Sequence, residues 1–185
     1  MKIVAIVGSH RMNGNTSYLT DQALEGAKQL GIETTKITLA QYKINPCQGH
    51  DECQDLAFCP QEDDTKWIVQ KLYEADGIIL ASPVYSQYIT AQLKTFIERC
   101  RFYTRHNKKI EARCAGIIVV ATSSGIKEAS NALIRFITRA SNIPAEKIVQ
   151  AHGFARTAGE IRNNAPAMAE ASKLGTSMAE DLLKS

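Results

Sequence analysis

The chain has 185 residues, 44% of them hydrophobic and 22% charged, with a formal net charge of +3. That profile excludes whole-chain disorder and suits one domain over residues 1–185, burying roughly 70% of the surface of its unfolded chain. The 22 basic and 19 acidic residues leave no charge footprint for nucleic acid, and five cysteines without a secretory leader point to metal or redox chemistry rather than a disulfide framework.

The opening stretch, 2–7, is a β-branched run closed by Gly8, the pattern of a strand buried on both faces. It is about half the length of a signal-peptide core, and no apolar run approaches the ~20 residues that cross a bilayer, so a cytoplasmic location is expected. A polar loop from Ser9 to Gly14 leads into a helix over 15–30, which Gly31 stops as a left-handed cap. Residues 32–39 read as a second strand, polar enough for a sheet edge. The segment 40–64 has no period and is too long for a passive connector. Asp63 and Asp64 then cap a helix over 65–74. A third strand over 77–81 runs into Ser82-Pro83-Val84-Tyr85, and Leu93, Phe96, Ile97 and Cys100 mark a helix over 90–102. A fourth buried strand, 114–121, ends in Thr122-Ser123-Ser124-Gly125; a helix over 126–141, a strand near 147–151 and an alanine-rich helix over 166–184 complete the chain.

Five strands alternating with five helices predict a doubly wound, three-layer α/β/α fold on a parallel sheet of order 2-1-3-4-5. Ligands in such sheets bind beyond the carboxyl ends of the strands where the order reverses. Three loops fall there, at 8–17, 82–88 and 122–126. The first sets hydroxyls, amides and a guanidinium between a buried strand and a helix N-terminus, where free N–H groups and the helix dipole attract an anion. It matches neither the dinucleotide-binding nor the P-loop pattern, and a single phosphate group is the expected guest.

Gly8-Ser9-His10-Arg11-Met12-Asn13-Gly14-Asn15-Thr16 resembles the GSPRxxGNT signature of the NAD(P)H-dependent FMN reductase branch of flavodoxin-like proteins, with His10 in place of the usual proline. The run Ala75 to Tyr85, followed by Thr90 to Arg99, is similar to that family's second signature. The likeness is strong over 1–125 and weak beyond. It implies that Ser9, Arg11, Asn13, Asn15, Thr16 and Ser17 surround an FMN phosphate. Pro83, Val84, Tyr85 and Ser86 would line the isoalloxazine, with Thr122, Ser123 and Gly125 on its other side. Backbone amides near the ring's polar edge would stabilise its reduced, anionic form, so no catalytic acid or nucleophile is expected. A homodimer or homotetramer with the flavin near a subunit interface is a further implication, and Tyr88 suits either ring contact or that interface.

The segment Pro46 to Pro60 carries C-x2-H-x2-C-x5-C, formed by Cys47, His50, Cys53 and Cys59. It resembles the compact four-cysteine motif of the iron–sulfur flavoproteins, a subgroup of the same family, with His50 where that subgroup has its second cysteine. Three thiolates and an imidazole suit a [4Fe–4S] or three-iron cluster; the same set suits zinc, and free or mutually oxidised thiols stay open. Cys100 and Cys114 read as core thiols, Trp67 and Tyr73 as packing under the cysteine segment, Arg135 and Arg139 as partners in surface ion pairs. The run Arg99, Arg101, Arg105, His106, Lys108, Lys109 reads as a solvated helix end, or else as a patch attracting an acidic electron donor or a nicotinamide 2′-phosphate.

Three functions fit these residues. One is an iron–sulfur flavoprotein passing electrons between a carrier and a small acceptor through FMN. The others are a cluster-free NAD(P)H-dependent FMN or quinone reductase, and a non-enzymatic flavin carrier or sensor.

Overall fold

A computed structural model describes residues 1–184; Ser185, the last residue of the expected domain, lies outside the described residues. The five strands are β1 (Lys2–Val7), β2 (Glu33–Thr38), β3 (Gly77–Pro83), β4 (Cys114–Ala121) and β5 (Ile148–Phe154). They form one parallel sheet in the order β2-β1-β3-β4-β5, as the sequence pattern predicts.

Alternation within each strand feeds two cores. Val4, Ile6, Ile78, Leu80, Ile117 and Val119 face one side, where α2 (Thr65–Tyr73), α3 (Ala91–Arg99) and α5 (Ile126–Ala140) pack through Ile68, Leu72, Leu93, Phe96, Leu133 and Ile137. Ile3, Ala5, Val7, Ile79, Ala81 and Ile118 face the other, against α1 (Asn15–Lys28) and α6 (Ala165–Leu183). Helices α1 and α6 approach closely because Gly175 has no side chain: a Cβ there would stand 1.7 Å from the Ala23 carbonyl oxygen.

Three local features depart from the predicted pattern. The expected 90–102 helix ends at Arg99, and a short helix α4 (Arg101–Arg105) follows, with Cys100 at the break. A short 3-10 turn, Leu39–Gln41, opens onto the 40–64 segment, and a second, Asp51–Gln54, lies within it. At the start of α2 the side-chain cap comes from Asp63, whose Oδ1 accepts from Thr65 N at 3.0 Å. Asp64 instead accepts from Lys43 N and Trp67 Nε1. Among the described residues no helix is long and apolar enough to cross a membrane.

Candidate functional site

The carboxyl ends of β1, β3 and β4 open on a cavity lined by Ser9, Arg11, Gly14, Asn15, Thr16, Pro83, Val84, Tyr85, Thr122 and Arg156. Its first wall begins where β1 stops. Gly8 N donates to Ala81 O at 2.8 Å, and the Gly8 carbonyl accepts from Thr90 Oγ1 at 2.8 Å, which anchors the loop to the start of α3. Ser9 Oγ accepts from Arg11 N at 3.1 Å, and Gly14 N donates to Arg11 O, so the loop folds back on itself before α1. Gly14 caps α1 without a side-chain hydrogen bond, leaving the first-turn N–H groups to another acceptor.

The predicted phosphate residues divide here. Ser9, Arg11, Asn15 and Thr16 line the cavity, with Arg11 exposed at its rim. Asn13 faces solvent outside that lining. Ser17 is buried, and its hydroxyl accepts from Lys36 Nζ of β2 at 3.0 Å, so it braces the helix from behind. Asn15 is committed on both sides of its amide: Nδ2 donates to Thr157 O at 2.8 Å and Oδ1 accepts from Ile161 N at 3.2 Å. Those bonds bring the loop after β5 to the site, and with it Ala155 and Arg156, which sequence reasoning missed. The likeness to known motifs fades in that stretch, and no local spacing marks it.

The second wall is a strained turn. Tyr85 and Tyr88 pair across a two-residue hairpin whose central residues, Ser86 and Gln87, both have positive φ, 48° and 66°. Neither is glycine, so each costs about 1 kcal/mol or more, strain of the kind found at binding sites. Val84 N and Tyr85 N are spent on Val120 O and Tyr88 O, which leaves the N–H groups of Ser86 and Gln87 without a partner among the described residues. Gln87 Nε2 donates to Ser124 Oγ at 3.0 Å and joins this turn to the loop after β4. Gly125, at φ +87°, lies under the turn: a Cβ there would meet Val84 Cγ1 at 2.7 Å. Its missing side chain therefore makes room for the turn rather than directly for a ring. Thr122 lines the cavity; Ser123 and Ser86 are exposed outside its lining.

The cysteine segment forms a second region. Cys47, His50, Cys53 and Cys59 all line one small cavity, together with Arg99, Arg101, Phe102 and Arg105. The three thiols are free and half-buried. Among the described residues, however, no three His, Cys, Asp or Glu side chains stand close enough to hold a metal ion. The soft donor set lining one cavity has the chemistry of a thiolate-bound cluster.

The basic run departs from the solvated reading at Arg99. Arg99 is buried, not solvated, and pairs with an enclosed Asp63. It follows Phe96 by three residues, the spacing that puts it on the helix's buried face. Burial alone raises the Asp63 carboxyl, but hydrogen bonds from Arg99, Asn45 N and Thr65 outweigh it and hold the group below its ordinary value. His106 presents Nδ1 to Phe102 O at 2.8 Å and Nε2 to Leu56 O at 3.0 Å, tying α4 to the cysteine segment. Trp67 packs edge-on against Tyr42 and donates to Asp64, both in the 40–64 segment, while Tyr73 packs against Tyr103 and lines a groove shared with Phe58 and Cys59. Arg135 and Arg139 form no ion pairs among the described residues and line a groove between α3 and α5. Cys100 and Cys114 are core thiols; burial pushes both up, Cys114 to about 12.

A family model described as NADPH-dependent FMN reductase matches residues 1–154. An iron-sulfur flavoprotein of Methanocaldococcus jannaschii is 35% identical over 97% of this chain and 96% of its own length. An iron-sulfur flavoprotein of Archaeoglobus fulgidus is 36% identical over 97% of this chain and 80% of that protein. The solved NAD(P)H:quinone oxidoreductase from Methanothermobacter marburgensis superposes with a TM-score of 0.76 over 96% of each chain; at 14% identity it bears on the fold alone.

Proposed function

The chain belongs to the NADPH-dependent FMN reductase family and is an FMN-dependent oxidoreductase; from that premise we propose that FMN lies in the cavity at the carboxyl ends of β1, β3 and β4, and that the cysteine segment holds an iron–sulfur cluster. The observation that carries the first part is the continuity of that cavity. It joins an uncapped helix N-terminus beside Ser9, Arg11 and Thr16 to the strand-end segment Pro83-Val84-Tyr85. An anionic phosphate suits the first end and a flat apolar ring the second.

When bound, FMN supplies hydride and electron transfer at its ring. The protein's residues orient it. First-turn N–H groups of α1, with Ser9, Thr16 and Arg11, bind and neutralise the phosphate, and Asn15 keeps the loop after β5 against it. Pro83 and Val84 would support the ring, and the N–H groups of Ser86 and Gln87, which have no partner among the described residues, would be free to donate to its polar edge. Tyr85 and Tyr88, about half exposed, leave a surface that a second copy of the chain would cover.

Cys47, Cys53, Cys59 and His50 are the residues that would hold the cluster, whose chemistry is one-electron transfer. The partners that follow are a reduced carrier protein or NAD(P)H as donor and a small acceptor. The free thiols, with no three such donors at metal-binding distance among the described residues, favour a second reading, a cluster-free reductase.

Two measurements test this. Titration with FMN and with riboflavin should show that Arg11→Ala combined with Thr16→Ala weakens FMN at least tenfold more than riboflavin; an equal loss places the phosphate elsewhere. Anaerobic purification with iron and sulfide analysis should find a cluster that Cys53→Ala abolishes while FMN stays bound. Flavin bands without iron, with rapid NAD(P)H oxidation, establish the cluster-free reductase instead.

A further inference from the structure

Arg99 stands apart from its basic neighbours. Arg101 is exposed and Arg105 half-buried, whereas the Arg99 side chain is 3% exposed against an Asp63 side chain at 0%. Its Nη1 donates to Asp63 and to Asn45 O at 2.9 Å. Its Nη2 donates to Asp63 Oδ1 at 3.2 Å and lies 3.6 Å from Cys59 Sγ. Asp63 in turn accepts from Asn45 N at 2.8 Å and Thr65 N at 3.0 Å. Asn45 precedes Cys47, and Asp63 follows Cys59. One guanidinium–carboxylate pair thus ties both ends of the cysteine segment to α3.

We infer that Arg99 is a positioning residue for the cysteine segment, fixing the Cys59 sulfur and lending it a hydrogen bond and a positive charge that favour the reduced state of the cluster. The inference rests on the reading that this segment holds a cluster, but its first half concerns the metal-free chain as well. A donor and a cation beside a ligating sulfur stabilise the form with more negative charge. Enclosure strengthens the effect, because screening by water is reduced around the pair. Of the four candidate ligands, Cys59 alone lines both the inner cavity and the larger groove between α2 and α4, and Arg99 lines both with it. Arg99 therefore flanks the candidate ligand that also faces the outer groove. A lysine there keeps the charge but, as a single ammonium, cannot span Asp63, Asn45 O and the sulfur together.

The test uses the full chain as wild type, Arg99→Lys, Arg99→Gln and the Asp63→Asn/Arg99→Gln pair. The pair removes both buried charges and is included in case Arg99→Gln alone, with its stranded carboxylate, fails to fold. Two readouts are taken. In metal-free protein, amide exchange over 44–65 should quicken at least tenfold in Arg99→Gln or in the pair, with no change over 1–17 and 114–125. In anaerobically reconstituted protein, the reduction equilibrium should shift about tenfold toward the oxidised form in Arg99→Gln, about 59 mV for one electron, and by less in the pair, where a carboxylate leaves with the cation. Arg99→Lys should recover part of that shift but not the slow exchange. Unchanged exchange in the folded neutral variants overturns the positioning role. Altered exchange with an unchanged potential overturns the charge effect. Wild-type protein that takes up no iron sinks the cluster reading and the charge effect with it, while the exchange readout still decides the clamp.

Discussion

Thr90 Oγ1 donates to the Gly8 carbonyl oxygen at 2.8 Å, joining the loop after β1 to the start of α3 across 82 positions of sequence. The same hydroxyl accepts from Leu93 N at 3.2 Å, and Thr90 N donates to Ser82 Oγ at 3.2 Å. One buried threonine therefore caps α3 and binds the ends of two central strands to it. Nine residues further on, the same helix presents Arg99 to the cysteine segment, so α3 physically links the two candidate cofactor regions.

Thr90→Val should cost about 1–3 kcal/mol, because it removes the cap and strands the Gly8 carbonyl. Thr90→Ser should restore most of it. Urea unfolding of the flavin-free proteins measures both, and a neutral Thr90→Val would mean the Gly8 carbonyl finds another donor.

Asn15 separates positioning from charge at the proposed phosphate end. Asn15→Ala loses both bonds to the loop after β5 and should weaken FMN about tenfold, about 1.4 kcal/mol. Asn15→Asp keeps the acceptor for Ile161 N but sets a carboxylate beside an anionic ligand. It should weaken FMN further while leaving riboflavin at the alanine variant's level. Calorimetric titration with both flavins reads the difference.

Two glycines with nearly the same φ should respond unequally to alanine. Gly31, at +81°, has open space around its missing Cβ, so Gly31→Ala costs only backbone strain, about 1 kcal/mol. Gly125, at +87°, would press a Cβ into Val84 Cγ1 at 2.7 Å and Gln87 Oε1 at 2.9 Å. Gly125→Ala should therefore cost about 2–4 kcal/mol and loosen flavin binding through the displaced 84–87 turn. Thermal unfolding and FMN titration compare the two.

The Asp63–Arg99 pair sets an acid limit. The folded-state pKa of Asp63 is depressed below its ordinary value near 3.8, so the unfolded chain binds this proton more tightly. The stabilisation is complete above that ordinary value and is lost as pH falls below it, through the depressed value. Asp63→Asn strands a buried guanidinium and should cost about 3–5 kcal/mol at neutral pH. The gap between wild type and variant should hold constant from pH 7 to about 4 and close only below that. Denaturant unfolding across that range checks the window.

Much of the fold was legible because its signals are local. Residues 3–7, 77–81 and 114–121 are continuous apolar runs, and such runs read as strands wherever both faces are covered. The Ser9 to Thr16 loop was legible for a similar reason: small and polar residues between a buried strand and a helix start expose N–H groups whatever surrounds them. The break at Cys100 and the strained Ser86-Gln87 turn left no such trace. Helix periodicity continues across the first, and the second is imposed by the Tyr85–Tyr88 pairing and by Gly125 beneath it.

From its own order of residues, then, this chain settled the alternating architecture, the sheet order and the end of the sheet where the candidate site lies. All three follow from neighbours within a few turns or a single strand. Tertiary structure alone decided which polar groups remain free to act. Ser17 is spent on Lys36, Asn15 on Thr157 and Ile161, and Arg99 leaves a basic run to become a buried partner of Asp63 and Cys59. A side chain's burial and partners depend on segments that meet only in the folded chain, and no local spacing records them.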